Sequence, residues 1–349
     1  GLSDARNPGW MKLVLNGIDI AAVQATARAH LEEPLDVFEP VVALYRAAAL
    51  TAGGDWRRLQ PFLSRATREA FDLCLGEVEV HRVLVAKVRS TSVQLEGNYN
   101  VIKLELQVLR QQGPPGAAQW VQGTEHWVVR RTAGTCSVPP DQARRLTCPG
   151  CDGPVDVDDH GACTACGRGI SWGQLQWQVM DVTMDHGGLV DPPDIERPLD
   201  DPSTDIEARA HPALAVRLRR FQAQNPSFDP AVFGQEVEAL VARVCHAWTT
   251  ADAHALEPLV APHLLARAEA ALQRLALYDL SDPRKDPRVE RSQLVSVTRD
   301  GWYDYFAVRL WLQLHDVVLD ADGQVVGGMA DQYRRVSQEW TLMRPVGQP

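Results

Sequence analysis

Four cysteines make the most specific chemical statement in this chain. Cys148, Cys151, Cys163 and Cys166 form the run C-P-G-C, eleven residues, C-T-A-C. Two Cys-x-x-Cys hairpins joined by a short polar loop can bring four thiolates to the corners of a tetrahedron, the geometry of a closed zinc site. Gly153 and Gly167 lie just past the second cysteine of each pair, where a tight knuckle must turn its backbone toward the metal without a Cβ clash. Four protein ligands leave no position for a substrate or water, so the expected role is structural Zn2+. An isolated cluster of this kind contributes about 10–16 kcal/mol to folding. The whole stability of an ordinary domain is about 5–15 kcal/mol, so removing the metal should unfold the ribbon.

Other readings of the thiols fit less well. A thioredoxin-type pair needs one Cys-x-x-Cys opening a helix. Disulfide frameworks belong to short secreted chains, whereas this one has 349 residues and an odd total of seven cysteines. His160 and His186 stand nearby and are expected at the surface, because four thiolates already complete the coordination. Cys74, Cys136 and Cys245 sit among apolar neighbours, where buried free thiols are the ordinary expectation.

A second group comes from the strand-like run 302–315. Alternation puts Trp302, Asp304, Phe306, Val308, Leu310 and Leu312 on one face, with Asp304 a lone carboxylate on an apolar surface. A buried acid with a raised pKa can serve as a general base. No His or second acid accompanies it, so Asp304 is expected to be solvated near a hairpin end or paired with Arg309. The opposite face shows Tyr303, Tyr305, Arg309, Trp311, Gln313 and His315. Tyr, Trp and Arg anchor protein interfaces. Tyr303, Tyr305, Arg309, Trp311 and His315 therefore form a candidate interaction surface, unless the chain's own elements pack on it.

Composition limits what such sites can serve. Apolar residues at 45% and charged residues at 23% are ordinary for a soluble globular protein, and the length calls for at least two domains. A net charge of −10 argues against a surface that tracks phosphates, and 148–172 carries four aspartates against one arginine. Nucleic acid is not an expected partner. No stretch approaches eighteen consecutive apolar residues, and no secretory signal is visible. The chain opens on Gly1 instead of methionine, which suggests a processed piece.

The elements that must position these residues come in two series. Residues 1–35 read as an N-terminal helical segment. Helical spacing follows over 38–52, with a stop at Gly53-Gly54, and a second helix reaches about Leu75. Strand patterns occupy 78–90, 98–110 and 119–131, with turn signals at Gly97-Asn98 and Gly113-Pro114-Pro115-Gly116. The ribbon spans 146–170, and another strand-like run covers Gln174 to Val182. Residues 185–210 hold eight acids, two arginines and four prolines, so 185–225 reads as a solvated linker. Then come helices at 230–250 and 253–278 and strands at 289–299, 301–316 and 329–343, with a turn at Asp322-Gly323.

The two series share more than element order. Asp55, Leu59, Pro61, Phe62 and Leu63 make the same string as Asp252, Leu256, Pro258, Leu259 and Val260. Glu125-His126-Trp127 with Arg130-Arg131 corresponds to Glu339-Trp340 with Arg344. We read an internal duplication of an α+β unit, helices followed by a curved antiparallel sheet.

That unit resembles the NTF2-like fold. The string from Phe228-Asp229-Pro230 through Ala247-Trp248, Asp252, Leu256 and Pro258 resembles the Tim44-like domain family, particularly its bacterial members with a four-cysteine ribbon between a Glu-x-Trp strand and a final Trp-containing strand. Glu125, Trp127 and Trp177 stand at those places. The resemblance implies Tim44-like domains at 36–184, with the zinc ribbon inserted, and at 226–349. Two departures are Thr51 where the second copy has Trp248, and a second copy that ends at Pro349 without an obvious last strand.

The resemblance also implies a non-enzymatic adaptor that binds a protein, linked to protein transport. It would be cytoplasmic and tethered at the inner membrane by a segment outside this chain. The alternative is a small-molecule or enzymatic NTF2-like cone using Asp304. Arg267 and Arg274 on 253–278, and the N-terminal helix, could touch a membrane surface, but neither has the dense basic face that stable adsorption needs.

Overall fold

The computed structural model describes residues 12–16, 62–75, 79–133, 148–170 apart from 149, 155 and 159, and 177–347 apart from 186, 200 and 300–302. The expected helix at 38–52, Thr51, Cys136, His186 and Trp302 lie outside the described residues. The chain forms two compact units, Asp19–Asp191 and Gly1–Ile18 with Pro192–Pro349.

Strand β1 (Lys12–Asn16) belongs with the C-terminal unit. The other unit holds helix α1 (Arg65–Leu75) and strands β2 (Val80–Glu96), β3 (Tyr99–Gln112), β4 (Gln119–Thr132), β5 (Gln178–Met184) and β6 (Gly188–Leu189). The sheet order is β2-β3-β4-β5, with β6 also on β4. Ile102, Leu104, Leu106 and Val108 recur at every second position of β3 and are buried, which is the period a half-buried strand requires. The Gly97 turn adopts φ +58°, a left-handed conformation that suits glycine. Three register shifts along β2 bend the sheet. Ser64 starts α1 by accepting the Thr67 N–H at 3.1 Å, while its own N–H donates to Val179 O at 2.8 Å.

The C-terminal unit contains α2 (Leu214–Gln224), α3 (Pro230–Thr249), α4 (Ala253–Leu256) and α5 (Pro262–Leu277). Its strands are β7 (Arg284–Arg299), β8 (Tyr303–Asp316), β9 (Val318–Leu319), β10 (Val325–Gly327) and β11 (Arg334–Pro345). Asp229 caps α3 through the Ala231 N–H, with Pro230 in the first turn. Proline is tolerated there because that N–H has no helical partner. One apolar stripe of α3 (Phe233, Val237, Leu240, Val241 and Cys245) is buried in the core with Phe306, Val308 and Leu310 of β8. Phe221, Phe228 and Phe233 surround Phe306 with ring centroids 5.1–5.7 Å away. The single helix expected over 253–278 is instead two. The chain leaves α4 before Pro258 and restarts with Pro262 at the head of α5.

Two segments differ from expectation. Within the segment read as helical, 1–35, Lys12–Asn16 is a strand that pairs antiparallel with β11, Lys12 opposite Met343 and Asn16 opposite Trp340. An uncovered sheet edge leaves backbone groups unpaired, and the short apolar run K-L-V-L-N supplies the missing strand. The C-terminal sheet is thereby β1-β11-β8-β7, and it has a fourth strand after all, drawn from the opposite end of the chain.

Nor is 185–225 a solvated linker. Gly188–Leu189 pairs with β4. Further on, the Arg335 N–H donates to Leu199 O at 2.7 Å, and the Asp201 N–H donates to Arg335 O at 3.2 Å. A 3-10 turn follows at Pro202–Asp205, and α2 buries Phe221 in the core. Composition suggested solvation because it counts acids without their partners. Here Asp201 meets Arg334, at 3.3 Å.

Removing residues 1–18 should expose the β11 edge over residues 340–343. Hydrogen exchange of those amides should then accelerate well beyond that of the β8 amides. Unchanged protection would show that β1 does not hold that edge.

Candidate functional site

The four predicted thiols come together. Their Sγ atoms all lie within 4.8 Å of one another, with Cys148 to Cys166 at 3.8 Å and Cys151 to Cys163 at 4.0 Å. A tetrahedron with metal–sulfur bonds of about 2.3 Å has sulfur–sulfur edges of about 3.8 Å. A disulfide would need about 2.05 Å. The cluster is therefore four free thiols at the spacing of tetrahedral metal ligands.

Each knuckle is a small hydrogen-bonded turn. The Cys148 carbonyl accepts the Asp152 N–H at 2.8 Å, and the Cys163 carbonyl accepts the Gly167 N–H at 2.8 Å. Gly150 N–H points at Cys148 Sγ, 3.3 Å away. The left-handed residues are Gly167 at φ +72° and Asp152 at φ +59°. Gly153 was the residue expected in the first knuckle, but the positive φ falls one position earlier. Aspartate is among the few side chains that tolerate it.

Cys148 and Cys163 are buried, Cys151 is exposed and Cys166 is half-buried. With no cation present, burial pushes the Cys148 thiol up to about 12, while the backbone N–H groups of Cys166 and Ala165 draw Cys163 down to about 7. A metal must therefore expel protons on binding. His160 is exposed and outside the cluster, and its N–H donates to Asp158 Oδ1 at 2.9 Å. Cys245 is a buried free thiol whose pKa burial raises.

Asp304 is neither solvated nor paired with Arg309. It is fully buried and accepts from Arg299 Nε at 2.5 Å and Nη2 at 3.0 Å, and from Arg344 Nε at 3.3 Å. Arg344 also donates to Asn225 Oδ1 at 2.6 Å and lies 4.7 Å over the Phe221 ring. Both carboxylate oxygens are thus engaged by guanidinium groups from β7 and β11. The arrangement ties two strands and the end of α2 to β8 and leaves no oxygen placed to take a substrate proton.

The candidate interaction surface is only partly open. Arg309 Nη2 donates to Ser203 O at 2.9 Å, and Trp311 Nε1 donates to Thr204 O at 3.2 Å. Arg291 stacks 4.5 Å from the Trp311 ring. His315 stacks on Tyr333 with centroids 4.1 Å apart. Tyr305 packs with Ala261 and Met343, with Tyr303 alongside.

The elements from α2 to the end of β11, together with this strand register, decide the comparison. Residues 214–349 match the Tim44-like domain family. A search of curated proteins found no match. The Tim44-like match begins at α2, twelve residues before the boundary expected at 226, and Phe221 of α2 is buried in the core. Residues 192–213 precede it.

The Tim44-like domain also holds two acids that the sequence reading missed. Asp316 accepts from Arg197 Nε at 3.2 Å and from Arg334 Nη1. Asp282 Oδ2 accepts from Arg197 Nη2 at 3.3 Å, Arg284 Nη2 at 3.2 Å and Trp248 Nε1 at 3.2 Å. Arg284 stacks 4.4 Å over Trp248, which gives the Trp248 of the family string a physical task. The available signal was the pair of arginines beside the Asp-rich turns, but nothing in the spacing says which acid each would meet. Burial opposes charge on Asp282. Arg284, Arg197 and the Trp248 indole outweigh it and hold the carboxyl below its ordinary value.

Two outcomes follow for urea unfolding. Asp304→Asn should cost about 3–5 kcal/mol, the penalty of breaking a buried pair and stranding its partners. For Asp282 the folded pKa lies below the unfolded value of about 3.9, so its stabilisation is complete above that pH and lost as pH falls through the folded value. Asp282→Asn should therefore lower stability at neutral pH and flatten the acid side of the stability–pH curve. An acid limb identical to wild type would contradict the assignment.

Proposed function

We propose that this chain is a non-enzymatic adaptor in which a structural Zn2+ clamps a ribbon on one unit and a Tim44-like domain presents a docking surface for a protein. The four Sγ atoms at tetrahedral spacing carry the metal reading. Zinc is the ion of choice because four thiolates suit a soft, tetrahedral, redox-silent cation. The ligands are Cys148, Cys151, Cys163 and Cys166, and a full thiolate shell supplies cross-linking instead of an activated water.

The adaptor reading is supported by the Tim44-like match and by the use of both Asp304 oxygens in ion pairs. It takes the two units as NTF2-like copies of one ancestor. In support, each sheet contains a run of four antiparallel neighbours, β2-β3-β4-β5 (with β6 added on β4) and β7-β8-β11-β1. Glu125, Trp127 and Arg131 recur at identical offsets as Gln338, Trp340 and Arg344. In both, the tryptophan indole donates to the side chain two residues earlier, at 2.9 Å. The glutamate's counterpart is then Gln338, not Glu339. On this reading the ribbon, which falls between the paired strands β4 and β5, is an insertion in the first copy. Protein transport, a cytoplasmic site and a tether to the inner membrane outside this chain complete the proposal.

Elemental analysis of the purified full chain should find about one zinc per chain. Cys148→Ser with Cys163→Ser should abolish binding and lower the melting temperature, and unchanged melting would rule out a structural metal. Because thiols must lose protons to bind, zinc affinity should rise with pH, by about tenfold per pH unit for each proton expelled. Affinity purification of the full-length product from its native cell should recover a protein partner. A co-purified small ligand with no protein would instead favour a ligand-binding cone.

A further inference from the structure

The outer face of the Tim44-like sheet is basic in a chain of net charge −10. Arg288, Arg291, Arg309 and Arg335 outweigh Glu290 and Glu339 on and beside it, interleaved with Trp311 and Tyr333. Among the described residues, strand β1 covers β11 at 340–343. The edge from Arg334 to Ser337 therefore meets a different neighbour, the acidic segment that precedes the Tim44-like match.

Two backbone hydrogen bonds join that segment to β11. Arg335 donates to Leu199 O and accepts from the Asp201 N–H, the pair of bonds that one residue makes to a parallel neighbour. Ser337 N–H donates to Ser203 Oγ at 3.1 Å. Arg309 and Trp311 take the Ser203 and Thr204 carbonyls, and Arg334 takes Asp201. Backbone pairing with side-chain specificity is how sheet edges accept peptides.

The fit is polar and incomplete. The 3-10 turn buries no residue. Among the described residues, buried Arg309 Nε, His315 Nδ1 and Ser337 Oγ have no hydrogen-bond partner. Beyond Arg197, which stays clasped by Asp282 and Asp316, the segment is held by partly exposed hydrogen bonds and one ion pair and opens at lower cost than the core.

We propose that the β11 edge at Arg334–Ser337, with Arg309 and Trp311 beside it, accepts an extended acidic segment of a partner protein by parallel strand addition, and that Leu199 and Asp201–Asp205 occupy this site in cis. The proposal rests on the adaptor reading and names its partner class. Occupation in cis lowers the apparent affinity of an incoming segment by the fraction of chains that are open.

The test uses a fluorescent peptide copying residues 194–207, titrated into the full chain and into its Asp201→Ala variant. Asp201 is a partly exposed residue whose loss spares the core. The variant should bind the peptide at least about tenfold more tightly than wild type, and salt should weaken that binding. A peptide with Asn and Gln in place of its acids should not bind. In parallel, the Arg335 and Ser337 amides should exchange faster than those of Phe306 and Leu310, and faster still in the variant. Equal affinity for both proteins, no binding to either, equal binding of the uncharged peptide, or exchange at the core rate in both proteins would overturn the proposal. Peptide binding without any cellular partner would count against the adaptor reading alone, while a recovered partner whose binding ignores Asp201→Ala would count against this site alone.

Discussion

The Tim44-like domain is organised around a charge that has no access to water. Asp304 is buried on the core-facing side of β8, and Arg299 and Arg344 reach it from the strands on either side. A buried carboxylate stripped of such partners would cost several kcal/mol. The requirement sets the register of three strands at one level and draws in Asn225 and Gln224 at the end of α2. The Phe221 ring lies under the Arg344 guanidinium, so the aromatic core and the ion cluster share an element. Asp304 had the features of a general base when read alone. In its surroundings it is a strut.

The two units solve a common problem by different chemistry. Each has a long connection that a short sheet cannot hold by hydrophobic burial. Between β4 and β5 the connection gathers four thiols, and a metal would convert them into one cross-link. Ahead of α2 the connection carries acids and two arginines, Arg197 and Arg209. Arg197 enters between Asp282 and Asp316, and Asp201 meets Arg334. Glycine makes room for this second clasp. A Cβ at Gly327 would lie 2.1 Å from Ile195 O, and one at Gly328 would lie 2.4 Å from Asp316 O, so only backbone hydrogens fit where the segment crosses.

Much of the fold was legible because it depends on short-range periods. Alternation located β3, β4 and β8, and the helices expected from 230 and 253 start there, each capped by an aspartate, Asp229 or Asp252, whose side chain satisfies an N–H two or three residues on. The Cys-x-x-Cys spacing was legible for the same reason, with each knuckle folding on itself. Misreadings occurred where a segment's conformation answered to something distant. Lys12–Asn16 is a strand because β11 offers an edge more than three hundred residues later. The acidic stretch around Asp201 is held against the sheet because Arg334 and Arg335 of β11 and Arg309 of β8 meet it.

The sequence by itself determined the thiol cluster, the strand and helix periods, and the family of residues 214–349, all of which follow from spacings within one or two turns of chain. Only the tertiary structure decided that Asp304 is clasped by two guanidinium groups, that Arg309 and Trp311 bond the Ser203 and Thr204 carbonyls, and that the first strand completes the last sheet. Each of these depends on which charge or open edge lies within about 3 Å in space, and one-dimensional spacing does not carry that distance.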